Sequence, residues 1–377
     1  MDFPRLQLIR QHFPEHRVQD IPATVFEELD REGFAKKIPA GGSVAIGVGS
    51  RGISNIDRIA KAVVDYWKAR GAQPFIFPAM GSHGAATAEG QAEVLAKYGI
   101  KESTMGCPVR SSLEVVPLGA SPDGIETFLD QNAFESDGVM LLGRVKWHTD
   151  FVGKIESGLF KMMAIGLGKF AGAQRYHTYG YKIGMETVIR SVGRQVLKSG
   201  KILGGLAILE DAYHQTGMLA AVPVDTMEQR EEELLELNKS WMGRLPGAEL
   251  DVLILDEMGK NISGAGMDTK VINRTVYGER NLWDFAPQIH RIYVRNISKL
   301  SYNNAVGLGL ADMVHGRVAR NMDPLPTYIN SLTASSPQAA RIPINFPTDR
   351  ECLERLAPTV GKFDYSTVTY AWARSWE

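Results

Sequence analysis

The sequence predicts an α/β protein built as two α/β domains with mostly parallel sheets and a cleft between them. Three observations predict it. Short apolar runs alternate with amphipathic helical periods, the sequence form of βαβ units. The 377 residues exceed one ordinary domain of roughly 100–200 residues. A proline–glycine break, Pro246–Gly247 within LPGAELD, separates two such apolar patterns, so the boundary is placed there: residues 1–246 as the catalytic and cofactor-binding domain, 247–377 as the second.

In chain order, Ser43–Gly49 (SVAIGVG) reads as a buried strand. Ile56–Ala69 follows as a helix, with Ile56, Ile59, Ala60, Val63, Val64 and Trp67 at helical spacing. Gln73–Met80 is the second strand, and the helix Ala88–Tyr98 stops at Gly99. Further strands are expected at Glu114–Leu118, Val139–Leu142 and Leu203–Leu209, the last after a helix over Glu186–Lys198. Met218–Val224 forms a hairpin with Leu203–Leu209, and Thr226–Trp241 is a charged amphipathic helix. The second domain has strands at Val252–Leu255 and Arg291–Val294, with helices at Asn303–Leu310 and Arg350–Leu356. Ser366–Ala373 (STVTYAWA) is β-branched and aromatic, a strand free to pair in either domain.

Forty-two basic and 43 acidic residues give a net charge of -1, which favours neither nucleic acid nor an anionic membrane as partner. Cys107 and Cys352 stand far apart, so no disulfide framework or thiolate metal cluster is written here. The first residues, MDFPRLQLIRQHFPEH, lack the apolar core of a secretion signal, and no apolar run approaches the roughly 20 residues of a membrane helix. The expected compartment is the cytoplasm.

Three predicted strands run into reactive side chains: Gly49-Ser50-Arg51, Gly81-Ser82-His83 and Lys146-Trp147-His148. Parallel strands would bring these ends to one rim, where open α/β sheets bind ligands. Two histidines suit a reaction that needs one base and one acid, and an arginine suits a carboxylate. The plain alternative makes His83 a helix cap and His148 a surface histidine. GVGSRG satisfies GxGxxG through Gly47, Gly49 and Gly52, but Phe77-Pro78-Ala79 ends the next strand without the acidic residue of dinucleotide sites, which disfavours NAD. Gly81, Gly84 and Gly90 would similarly expose amides or simply make a tight turn. Trp147–His177 reads as a glycine-dotted, flexible stretch carrying Lys154, Lys161 and Lys169. Of its cations, Lys154, Lys169 and Arg175 read as solvated. His12, His16, His214, His290 and His315 show no partnered spacing.

Taken together, Ser50 and Arg51 at a strand end, AMGSHGAAT around His83, His148 after a strand, and Lys161 followed sixteen residues later by His177 resemble the nickel-pincer lactate racemase family. The resemblance covers most of the first 180 residues. It implies a racemase or epimerase of a 2-hydroxy acid, using a pyridinium mononucleotide with two sulfur groups that is tethered through Lys161. In that family nickel is held by the ring carbon, both sulfurs and one histidine, here His177. His83 and His148 would be the acid/base pair, Arg51 would hold the substrate carboxylate, and Ser50, Gly81 and Ser82 would lie beside the cofactor. The implied partners are a small 2-hydroxy acid and the enzymes that make the cofactor.

The chain departs from the family at Val48, where an acidic residue is usual, and in a longer, charged stretch after His148 that carries Lys154 and Glu156. The family's glutamine and lysine near the substrate have no clear counterpart in DEMGKNISGAGMDTKVINR. Lys260, Asn261 and Lys270 are the candidates to replace them, and a substrate other than lactate is expected. The Lys260–Asp268 loop is then either a substrate clamp or a solvated loop. Two other classes compete: a divalent-metal hydrolase with His83, His148 and His177 as ligands, and a non-catalytic anion-binding homologue.

Overall fold

The computed structural model describes residues 3–49 and 52–375. It divides into two compact units, Phe13–Met242 and the remainder of the described chain.

The first unit holds a five-stranded sheet of β1 (Ser43–Val48), β2 (Gln73–Pro78), β5 (Gly138–Arg144), β6 (Ile202–Glu210) and β7 (Thr216–Pro223), in the order β2-β1-β5-β6-β7. The first four strands are parallel, and β7 returns antiparallel to β6 as the predicted hairpin. A separate two-stranded ribbon pairs β3 (Val115–Ala120) with β4 (Glu126–Asp130), antiparallel. Both faces of the large sheet are covered, which is why its strands are continuous apolar runs rather than alternating ones. Val44, Ile46 and Val48 of β1 join Met140 and Leu142 of β5 in one core, together with the helix Ile56–Ala69. Ala45, Val139 and Leu141 face the other core, with the helices Met185–Leu197 and Met227–Trp241.

The second unit carries β8 (Glu249–Met258), β9 (Gln288–Ile297), β10 (Met313–His315), β11 (Ile344–Phe346) and β12 (Tyr370–Ala373) in one parallel sheet ordered β11-β10-β9-β8-β12. The final strand, free by sequence to pair in either domain, pairs with β8.

Three expectations need correction. Asn303–Leu310 is not an α-helix; only Leu308–Leu310 makes a 3-10 turn, because Tyr302, Asn303 and Gly307 take left-handed backbone. The stretch before His177 is helical rather than loop: a π-helical turn, Met162–Gly166, leads into a helix at Lys169–Ile183. The glycines that suggested flexibility let rings close in; a Cβ on Gly172 would lie 2.6 Å from the Tyr176 ring. The Lys260–Asp268 loop, open by sequence to being a substrate clamp or a solvated loop, is not solvated along its length: Ser263, Ala265, Met267 and Asp268 are buried. Met267 and Ile272 enter the core of the second unit, and Asp268, Thr269, Lys270, Asn273 and Arg274 are buried with them.

Candidate active site

β1 is followed in the sheet by β2 on one side and β5 on the other, so the chain reverses its direction of winding between β1 and β5. Crevices outside the carboxyl ends of strands at such a reversal are where open α/β sheets bind ligands. The three strand ends carry the predicted groups. After β1, Ser50 and Arg51 lie outside the described residues. The chain beyond them is anchored: Arg144 at the end of β5 donates to the Gly52 carbonyl (3.1 Å), and Glu210 at the end of β6 accepts from the Ser54 amide (2.7 Å). Arg144 and Glu210 are themselves paired at 2.5 Å.

After β2 come buried Gly81 and exposed Ser82 and His83. His83 does not cap the next helix; Thr87 does, its Oγ1 accepting from the Gly90 amide at 3.0 Å. The loop folds back tightly on that helix. Gly84 has φ +63° and Gly90 packs against it so closely that a Cβ on Gly90 would meet the Gly84 carbonyl oxygen at 2.0 Å. Only two glycines permit that approach.

After β5 the chain makes a small hairpin, closed at its base by two hydrogen bonds between the backbones of Lys146 and Ser157 (3.0 and 3.1 Å). Inside it, fully buried Glu156 accepts from the His148 amide (2.5 Å) and the Gly153 amide (3.3 Å), and pairs with Lys239 at 3.3 Å. The charged stretch after His148 thus shapes the His148 loop, through Glu156. The His148 ring stacks on Phe151, centroids 4.5 Å apart, and its Nδ1 accepts from the Asp150 amide at 3.0 Å. A neutral ring with Nδ1 accepting carries its proton on Nε2.

The segment from Lys161 to His177 closes the rim. Gly143 near the end of β5 lies against Met162 and Leu159, and Gly81 against Ile165 and Ala173, where an added Cβ would come within 2.9–3.1 Å of the neighbouring side chains. The π-helical turn thereby touches the ends of two strands at once; such bulges recur at functional sites. Lys161 is half-buried. His177 keeps an exposed face, yet its pKa is lowered, first through desolvation by the surrounding protein and second by the Lys161 ammonium, with Asp150 opposing. The structure therefore brings Lys161, His177 and the hairpin that carries His148 within electrostatic reach of one another. An amine and an imidazole kept neutral at pH 7 form a donor set that fits a tethered pyridinium with nickel, since neutral imidazole is the form that binds a transition metal.

Beneath this segment lies a carboxylate that sequence reasoning passed over. Glu231, fully buried, accepts from the Phe160 amide at 2.9 Å and so caps the turn Leu159–Lys161. Gly158 makes room for it; a Cβ there would sit 2.3 Å from Glu231 Oε1. That oxygen has no hydrogen-bond partner, and burial pushes the carboxyl up to about 7. A folded-state pKa raised above its unfolded value means the native state holds the extra proton. This contribution is fully present below pH 4.5 and is lost as pH rises through about 7. Denaturant titrations between pH 4.5 and 8 are expected to show the wild type losing about 3 kcal/mol more than Glu231→Gln. Equal slopes for the two proteins would rule this out.

Lys169, read from sequence as solvated, is wholly buried and paired with Asp130. Its partners come from distant segments, and the one local signal was a lysine in an otherwise apolar run, AIGLGKFAG. In the second unit, Lys260 is partly buried, and exposed Asn261 accepts through Oδ1 from Ser301 Oγ at 2.7 Å. Lys270 is buried there, its ammonium 5.6 Å from the Trp283 ring centre.

No protein family model matches this chain, and no curated protein sequence does. Solved structures do share its fold. A crystal structure of a protein from Thermotoga maritima matches over 94% of this chain and 97% of its own, with a TM-score of 0.57 at 11% identity. The lactate racemase apoprotein from Thermoanaerobacterium thermosaccharolyticum matches over 96% and 97%, with a TM-score of 0.55 at 13% identity. No helix among the described residues is long and apolar enough to cross a membrane.

Proposed function

We propose that this chain is a cytoplasmic racemase or epimerase of a 2-hydroxy acid that works with a nickel-pincer pyridinium mononucleotide, joined covalently to Lys161 and ligated through its nickel by His177. One observation carries the reading: a lysine, a neutral histidine and the His148 hairpin meet at the carboxyl rim of a sheet whose fold is that of a lactate racemase apoprotein. When bound, the group supplies reversible hydride acceptance at the substrate's α-carbon.

The chain's own residues handle protons and position. Arg51 binds the substrate carboxylate. One of His83 and His148 starts neutral and takes the hydroxyl proton; the other starts as imidazolium and delivers a proton to the carbonyl oxygen, so the two exchange protonation states in each turnover. Inversion requires them on opposite faces of the substrate carbon. At His148 the Asp150 amide favours the Nε2–H tautomer, a donor to a substrate oxygen; to take a proton at Nε2 the ring must carry its own proton on Nδ1 and give up the Asp150 amide. Ser50, Gly81 and Ser82 line the cofactor side.

The three histidines as ligands of a hydrolytic metal are disfavoured: among the described residues, the group with ligand atoms mutually within 4.8 Å is Glu249, Asp251 and His290 instead. Co-expression with the cofactor-making enzymes, then circular dichroism on a panel of enantiopure 2-hydroxy acids, tests the proposal. Expected is racemisation or epimerisation of one of them, with an α-deuterium label retained in the product. Loss of that label to water would replace hydride return with carbanion chemistry, and no turnover by adduct-bearing protein on any acid would overturn the assignment.

A further inference from the structure

We propose that Lys169, Asp130 and Gln91 form a buried positioning device that sets where His83 stands relative to the helix carrying His177. The proposal rests on the acid/base role given to His83 above. The Lys169 ammonium donates to the Pro78 carbonyl (2.9 Å) and Gln91 Oε1 (2.7 Å) and lies 3.5 Å from Asp130 Oδ2 as an ion pair, that buried oxygen having no hydrogen-bond partner. Lysine donates only, so the Gln91 amide must turn its oxygen toward it. The Gln91 nitrogen then faces the other way and donates to the carbonyls of Gly81 (2.9 Å), Met80 (3.3 Å) and His83 (3.5 Å). One cation thus fixes the orientation of one amide, and that amide gathers the carbonyls of the loop on which His83 is mounted.

Asp130 ties the arrangement to a third element. It ends β4 and caps the short helix Gln131–Glu135 through Oδ1, which accepts from the Ala133 amide at 3.0 Å. Lys169 and Asp130 are both fully buried, and Gln91 is too. Burial lowers the pKa of Lys169 and raises that of Asp130, and their mutual attraction opposes both shifts. Lys169 also opens its helix in left-handed backbone, φ +54°, a conformation that a lysine keeps only where its surroundings over-determine it. A well-packed apolar trio of the same volume would commonly be as stable as a buried ion pair. What such a trio lacks is directional donors aimed at the His83 loop.

Gln91→Glu is the primary test, since a carboxylate keeps Lys169 satisfied while placing an oxygen against the carbonyls of residues 80, 81 and 83. In cofactor-free protein, the amides of residues 79–86 are expected to exchange with deuterium at least ~10-fold faster, and the His83 ring resonances to shift, while His177 and the rest of the chain stay as in wild type. In loaded protein, kcat is expected to fall about 10–100-fold with KM and adduct occupancy unchanged. The double variant Lys169→Met/Asp130→Leu separates positioning from stability: its melting midpoint is expected to stay near that of wild type while kcat remains depressed. Recovery of kcat along with the midpoint would overturn the proposal, as would unchanged exchange in the 79–86 loop of Gln91→Glu. Should the loaded wild type turn over no 2-hydroxy acid, the functional reading fails, and the exchange and histidine readouts still decide the positioning claim.

Discussion

His83→Gln, fully loaded with cofactor, is expected to lose about 10²–10⁴-fold in kcat with little change in adduct occupancy. The reason lies in where His83 sits. It is exposed, it caps no helix, and its loop is held from behind by Gln91 through backbone carbonyls. Removing it takes away a proton carrier and leaves in place the Gln91 hydrogen bonds that hold the loop backbone. His148→Gln is expected to fall in the same range, with the hairpin still closed by Glu156 and by the Lys146–Ser157 backbone pair although the ring's contacts with Phe151 and the Asp150 amide are lost. Stopped-time chiral assays from each enantiomer, together with intact mass, check both. Either variant retaining more than about a tenth of wild-type kcat would remove that histidine from the acid/base pair.

Lys161→Arg is expected to abolish the covalent adduct and, with it, all measurable turnover. Arginine keeps the charge but stays protonated at any accessible pH, so it cannot serve as the tethering amine. The turn that carries it is capped by Glu231 through the Phe160 amide, which the substitution leaves in place, so the unfolding free energy should change by no more than about 1 kcal/mol. Intact mass after co-expression with the maturation enzymes is the decisive measurement. An adduct of full mass on the arginine variant would place the attachment elsewhere. His177 supplies an independent check: nickel retention by His177→Ala should fall while the adduct at Lys161 remains.

Much of the fold was legible in the chain itself. Strands buried on both faces have to be apolar throughout, so β1, β2, β5, β6, β8 and β9 stood out against the amphipathic helices between them. The His83 and His148 ends followed from strand direction alone. What escaped were elements whose sequence cues contradicted their tertiary setting. The helix Lys169–Ile183 is rich in glycine because rings pack onto its backbone, and glycine out of context reads as a turn. Asn303–Leu310 has helical apolar spacing, but left-handed residues at its start and at Gly307 break it.

The chain by itself therefore determined the α/β class, the strand ends that carry His83 and His148, and the Lys161–His177 spacing, because period and local order are properties of neighbours. Only the tertiary structure decided that Lys169 is buried against Asp130 and Gln91, that Glu156 builds the His148 hairpin, and that Glu231 underlies Lys161. A charged side chain is read as solvated until its partner is seen. Each of these partners comes from a separate stretch of chain, and only packing, which excludes water from between them, makes the pairing necessary.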